Sequence, residues 1–378
     1  LLCNVGGSRN TALGHNALAL TGNTISNNTA IGHEALLYNN ANNNTAVGLC
    51  ALRTNSTGAN NVAVGNYSLR LNTVGANNTA LGGSALRANL ASGNTAVGFY
   101  ALRDNTTGTS NVAIGTSALV ANTIGTTNTA VGTNSLQSNT TGGTHTAVGY
   151  GSLRNNTVGF QNTAIGVIAL YSNTSGFSNT AVGWATLCSN TTGIKSTAVG
   201  GRALTCNLAS GNSALGYVAL LNNTTGGNNN AFGYGALANN TTGGNNIAFG
   251  NSAVRSNTTG TANIGIGSGA LRYNTTGGYN IGIGITALIS NTAGSSNTAL
   301  GSFALQSNTV GNNNTAIGRN ALFCNTASNN TSVGYYSLRS NTTGTNNTAI
   351  GFCSLRNNTT GANNTGLGTS ALLNNTTG

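Results

Sequence analysis

Apolar and polar positions along this chain follow one short pattern, repeated. "NTAVGFYALRDNTTGTS" runs from Asn94 to Ser110, and "NVAIGTSALVANTIGTT" follows from Asn111 to Thr127. Slots are numbered from the opening Asn. Slot four is large and apolar in every unit, as at Leu13, Ile31, Val47, Val64, Phe232 and Ile350. Slot nine is Leu except for Val254, and slots three and eight stay small. Slot five is Gly from Gly14 to Gly368, and slot twelve is Asn in all units but the first. Twenty-two units run from Asn10 to Gly378, most of them seventeen residues long. Units beginning at Asn28, Asn78, Ser196 and Asn314 have sixteen, and the first has eighteen. His145 and Ser196 replace the opening Asn in two units.

Self-similarity at a fixed period marks a repeat architecture. The "TAVG" stretch has β-propensity and alternates, which places the slot-four side chain on one face and the slot-three Ala on the other. A second strand is expected over "xALR", with Leu inward, and a bend or close backbone approach at the slot-five Gly. "NTTG" reads as a turn, Asn bonding its own backbone and Gly taking positive φ. Lost residues fall there, as in "NLASG" at Asn89–Gly93, so this segment tolerates length change. Recurrent Gly and β-branched residues leave no convincing helix. One unit is therefore one coil of an all-β parallel β-solenoid with two short strands per coil. Like slots stack ~4.8 Å apart, giving a rod about 100 Å long. The slot-four residues and the Leu residues are expected to form two interior ladders, and the slot-twelve Asn side chains a third, bonded coil to coil. Residues 1–9 read as a partial first coil and 10–378 as a single repetitive domain.

Composition narrows the functions. Charged residues are 4% of 378, Pro and Met are absent, and Gly numbers 56. No apolar run reaches the ~18 residues of a membrane span. With only Glu34 and Asp104 as carboxylates, no pair exists for acid–base chemistry, so an enzyme is not expected. The cysteines Cys3, Cys50, Cys188, Cys206, Cys324 and Cys353 match no zinc pattern and read as apolar fillers or free thiols. His15 and His33 share slot six in neighbouring coils, with Glu34 beside His33; they are expected to stack at the surface, and a metal there lacks further ligands. No cofactor is implied.

The net charge of +11 is modest for this length and suits anionic partners weakly. Nine Arg occupy slot ten, and Arg53, Arg70, Arg87 and Arg103 do so in consecutive coils. They read as capping or solubilising groups, or as a stripe for acidic polysaccharide or phosphate. Without an aromatic stacking module, nucleic acid is not expected. Slot six carries Phe99, Tyr150, Trp184, Tyr217, Tyr234, Tyr335 and Phe352. Aromatic faces there, Trp184, Tyr217 and Tyr234 among them, are candidates for stacking on sugar rings. N-x-S/T triplets headed by Asn55, Asn105, Asn139, Asn173, Asn190, Asn257, Asn274 and Asn341 are candidate glycan acceptors in a secretory pathway, or simply turn chemistry.

The repeat resembles the head repeats of trimeric autotransporter adhesins, the YadA-like family, and similar tracts in bacteriophage tail fibres. The family pattern, roughly N-S-x-A-I-G-x-x-S-x-A-x-G, matches Asn94, Ala96, Val97 and Gly98 and the same slots in nearly every unit. Units of seventeen depart from the family's commoner fourteen by the added "NTTG" turn. The resemblance implies a left-handed β-roll, three chains side by side, and a place outside the cell, on its surface or on a virion appendage. The expected function is a structural segment of an extracellular fibre or surface adhesin, with a tail-fibre shaft as one alternative. An ice- or crystal-binding solenoid is another, drawn from the Thr-rich slots two, thirteen and fourteen, although Val62, Val112 and Ile247 interrupt the first of these. The expected partners are the chain itself, as trimer or filament, and polysaccharide, without membrane insertion. Small slots three and eight, taken as facing outward, are expected to meet the neighbouring chain.

Overall fold

A computed structural model describes residues 5–22 and 24–378; Cys3 lies outside them. The fold is an all-β parallel β-solenoid of about 21 turns, about 17 residues apart. There is no helix among the described residues. The coils fall into two compact units, Leu1–Thr192 and Gly193–Gly378. In the first, three-residue strands run from Thr11–Leu13 to Thr180–Val182; in the second, from Thr197–Val199 to Thr365–Leu367. Within each unit, each of these strands covers slots two to four and pairs in parallel with the next, slot on slot: Thr95 with Val112, Ala96 with Ala113, Val97 with Ile114.

The strand faces are the reverse of those read from side-chain size. The slot-three Ala points inward and is fully buried, as at Ala96, Ala113 and Ala130. The slot-four side chains face outward, with Leu13 67%, Ile165 40% and Phe249 53% exposed. The cause is the slot-nine Leu, which fills the interior opposite. A Cβ built on Gly282, at slot three, would lie 3.2 Å from Leu271 Cγ, so only a methyl fits there. The single slot-nine Val proves the same contact. A Cβ at Gly265, slot three of the following coil, would overlap Val254 Cγ2, and that coil carries Gly where most carry Ala.

Where a second strand was expected, most coils have none. Slots seven and nine take left-handed conformations, for example Ser117 at φ 57° and Leu119 at φ 52°, with Ala118 between them. Left-handed Leu costs about 1–2 kcal/mol. The alternation bends the chain around the interior while keeping its amides along the stack. Leu102 N–H donates to the Ala118 carbonyl at 3.0 Å, and Tyr100 N–H to the Gly83 carbonyl at 3.1 Å. The one additional strand pairing among the described residues joins Leu20–Thr21 to Tyr38–Asn39.

The interior is half amide. Slot-twelve Asn residues stack as expected: Asn122 Nδ2 donates to Asn105 Oδ1 at 2.7 Å and Asn139 Nδ2 to Asn122 Oδ1 at 2.9 Å. The same Nδ2 also reaches the slot-fifteen carbonyl of its own turn, Gly125 for Asn122 at 3.0 Å. The opening Asn forms a second ladder that side-chain size did not suggest. Asn111 N–H donates to Asn94 Oδ1 at 2.9 Å, and Asn111 Nδ2 to the Gly125 carbonyl at 2.9 Å. These Asn side chains are buried through most of the stack, and most have both amide atoms engaged, which avoids an orphaned-amide cost; Asn72 and Asn308 are exceptions, each with a buried Oδ1 that finds no donor. The slot-eight Ser is satisfied too, Ser135 Oγ donating to the Gly132 carbonyl at 2.9 Å.

The short coils keep the turn but interrupt the ladder: Asn72 and Asn308, in the coils just before two of them, have an Oδ1 without a donor. The short coils lack one turn residue, and the carbonyl accepting from the slot-twelve Nδ2 comes from an Ala two residues on: Ala41, Ala91, Ala209 and Ala327. In two of them Gly closes the turn at positive φ, Gly93 and Gly211 both at 73°. The ordinary slot-fifteen Gly has no positive φ, contrary to expectation. It is Gly because a Cβ on Gly108 would meet the Gly125 carbonyl and Asn105 Oδ1. Short coils beginning at Asn78, Ser196 and Asn314 stand seven coils apart.

Candidate functional site

The most regular surface feature is the outer face of the strands. Slots two and four place Thr, Val and Ile beside Val, Ile, Leu and Phe, coil after coil, and the slot-four residues are about 36–67% exposed where the value is highest. In the second unit Phe232 and Phe249 stack at 4.8 Å with ring planes 6° apart. They border a shallow apolar depression with Val199, Leu215 and Ile247. Apolar rows of this extent on a folded surface mark contact sites.

Slot six continues this face beyond the Gly bend. Trp184, Tyr217 and Tyr234 are 53%, 51% and 50% exposed. Tyr217 stacks on Tyr234 at 6.0 Å and Tyr335 on Phe352 at 5.7 Å. His15 and His33 stack at 5.2 Å in the same column. The aromatic residues of this slot thus stand exposed, several of them as stacked pairs.

The slot-ten Arg residues are less free than a bare anion stripe. Arg70 lies over Tyr67 at 5.3 Å, Arg103 over Tyr100 at 5.0 Å and Arg53 over Tyr38 at 5.6 Å. Arg103 also grips Asp104 through Nε and Nη2 at 2.8 and 2.7 Å, which raises its already high pKa. Arg53 Nε holds Glu34 Oε2 at 2.6 Å, and that bond lowers the Glu34 pKa. Arg87 is exposed. Rings and carboxylates therefore take up part of the positive charge that the sequence placed in this column.

The sequon asparagines require a correction. Asn55, Asn105, Asn139, Asn190, Asn257, Asn274 and Asn341 are all fully buried. In the ladder their Nδ2 atoms, the atoms a glycan needs, donate inward, as Asn274 Nδ2 does to Asn257 Oδ1 at 2.8 Å and the Gly277 carbonyl at 2.9 Å. The folded coil has no room for a sugar there. Triplets in a different frame do reach the surface: Asn43, Asn77, Asn313 and Asn346 stand exposed at the last slot, each followed by Asn-Thr. The Thr-rich slot thirteen is likewise spent internally, with Thr258 Oγ1 donating to the Thr275 carbonyl at 3.0 Å.

His145, which replaces the opening Asn of its coil, is buried in the opening-Asn ladder and copies its chemistry. Nε2–H donates to the Gly159 carbonyl at 2.7 Å, while Nδ1 accepts from Asn162 N–H at 3.2 Å. Burial pushes its pKa down to about 4. The unfolded chain takes a proton near pH 6.5, whereas the folded chain holds off until about pH 4. Stability therefore falls as pH drops through this window, by about 3 kcal/mol in all. Denaturant melts at pH 7 and pH 4.5 should show this loss, and His145→Asn should remove most of it. An equal loss in the variant would place the acid sensitivity elsewhere.

Among the described residues no disulfide joins the cysteines, and no helix is long and apolar enough to cross a membrane. No protein-family model matches the chain, and no curated protein is significantly similar to it.

Proposed function

We propose that this chain is a structural repeat segment of an extracellular fibre or surface adhesin, and that it works as an assembly of copies of itself. The observation that carries the reading is the outer strand face, where slot-four Val, Ile, Leu and Phe are exposed or half-buried in coil after coil. Leaving such a row in water is costly at roughly 25 cal/mol per Å² of apolar surface. A second copy, built on the same spacing, presents matching rows. The small slots three and eight no longer argue for a neighbouring chain, because they line the chain's own interior. The resemblance to YadA-like repeats favours three chains and a left-handed coil, with lateral filaments or a tail-fibre shaft as variants of the same use. Exposed aromatic residues at slot six supply the contact surface, with polysaccharide as the fitting partner. The crystal-binding alternative is weakened by slot-thirteen hydroxyls that bond the next coil rather than facing outward.

Sedimentation equilibrium tests the assembly. The native protein should run at a multiple of its 37.4 kDa chain mass, three-fold for the trimer. The variant Ile114→Asp with Ile165→Asp should run at the single-chain mass with its β-type circular dichroism intact. A folded wild-type species at 37.4 kDa would overturn self-association.

A further inference from the structure

The chain is nearly bare of metal-ligating groups: three His, two carboxylates and six Cys in 378 residues. Their placement is uneven. His33 Nδ1 or Nε2, a Glu34 carboxylate oxygen and Cys50 Sγ all lie within 4.8 Å of one another. The sequence hides this, because Cys50 stands in the next coil. It shares slot seven with Glu34, and the parallel stack brings the two slots together. The Cys50 thiol already donates to Glu34 Oε2 at 3.6 Å. His15 stacks on the His33 ring at 5.2 Å from the coil on the other side.

We propose that His33, Glu34 and Cys50 form a binding site for a divalent transition metal, with zinc the best match. One imidazole nitrogen, one carboxylate oxygen and one thiolate sulfur make a borderline-soft donor set, which suits Zn²⁺ and excludes Ca²⁺ and Mg²⁺. Three protein ligands leave the fourth tetrahedral position to water. Tetrahedral zinc wants its donors about 3.3–3.7 Å apart, given bonds of about 2.0 Å to N and O and about 2.3 Å to S. The present separations therefore close by about 1 Å. The exposed His33 side chain is free to turn, while Cys50, only 7% exposed, is the fixed point.

Two contacts are exchanged. The Cys50 S–H bond breaks, its proton passes to solvent, and an S–Zn bond forms. The Arg53 hydrogen bond to Glu34 gives way to an O–Zn bond, and Arg53 keeps the Tyr38 ring at 5.6 Å. The coils on either side carry their own ladders and turns, so the metal is not required for folding. It ties neighbouring coils together through side chains, which the backbone ladder alone does not do.

Cobalt and zinc alone, added to the full chain, test the site. Co²⁺ should give one equivalent of a near-ultraviolet thiolate-to-metal charge-transfer band, displaced by Zn²⁺. Cys50→Ser should abolish the band, and His33→Ala and Glu34→Gln should each weaken zinc binding at least tenfold by calorimetry. Cys353→Ser is the control: it alters another buried slot-seven Cys that has no His or carboxylate grouped with it, and it should bind as wild type. Circular dichroism checks that each variant is folded. Absence of the band in the wild type, or unchanged binding in His33→Ala, would overturn the proposal.

Discussion

Leu170→Asp is expected to unfold the coils around it, while Trp184→Ser leaves the melting temperature nearly unchanged. Leu170 is fully buried, and its N–H donates to the Thr186 carbonyl of the next coil at 3.0 Å. A carboxylate in its place faces methyl groups and neighbouring Leu side chains, with no cation in the interior to pair with it. An unpaired buried charge costs several kcal/mol, and the lost Leu adds about 2 kcal/mol more. The effect spreads because each coil leans on its neighbours rather than on a shared globular core. Trp184 is 53% exposed, so its removal should cost about 1 kcal/mol or less. Thermal melts with limited proteolysis will separate the two. Equal melting temperatures would mean that slot nine is not the interior.

Gly115→Ala should be nearly as damaging, although it adds one methyl. Gly115 sits at φ +131°, a conformation that side chains rarely adopt, and a Cβ there would lie 2.7 Å from both the carbon and the oxygen of the Gly132 carbonyl. That carbonyl belongs to the next coil's backbone, so relief means prising two coils apart. Strain of this kind costs about 1–3 kcal/mol before any loss of the ladder. Gly83→Ala, at slot six, is the control. Its Cβ would meet only the edge of the exposed Phe99 ring at 3.2 Å and should cost about 0.5 kcal/mol or less. Denaturant unfolding will compare them, and equal midpoints would remove coil-to-coil contact as the reason for this Gly.

The period, the parallel stack and the slot-twelve ladder were legible in the sequence, because each depends on one residue type recurring at one spacing. The strand faces were not. Alternation says that slots three and four point opposite ways, but not which way is in. Side-chain size then favours Val97 over Ala96 as core, and the structure reverses this. The slot-nine Leu was read as inward, but nothing in the sequence says that it lies directly across from slot three and leaves little room there, as Leu271 does for Gly282. The same blind spot hid the left-handed residues: Leu119 at φ 52° has no sequence signal, since Leu does not announce positive φ as Gly does. The role of His145 had no sequence signal either. Its slot looked replaceable, and only the geometry shows an imidazole reproducing an amide's donor and acceptor.

The short coils carry a consequence for how such a chain changes length over generations. Gain or loss of a whole coil by recombination between near-identical repeats restores every ladder on either side of the join. Loss of one turn residue is tolerated at the cost of one ladder bond: an Ala two residues after the ladder Asn offers its carbonyl, as Ala91 does for Asn89, while Asn72 Oδ1 in the coil before goes without a donor. Loss of a residue between slots one and nine shifts Asn, Ala and Leu out of their columns together. Copy number is therefore free to drift while the reading of each coil is held fixed, and insertions surviving in related genes should map to the turn or come in whole coils.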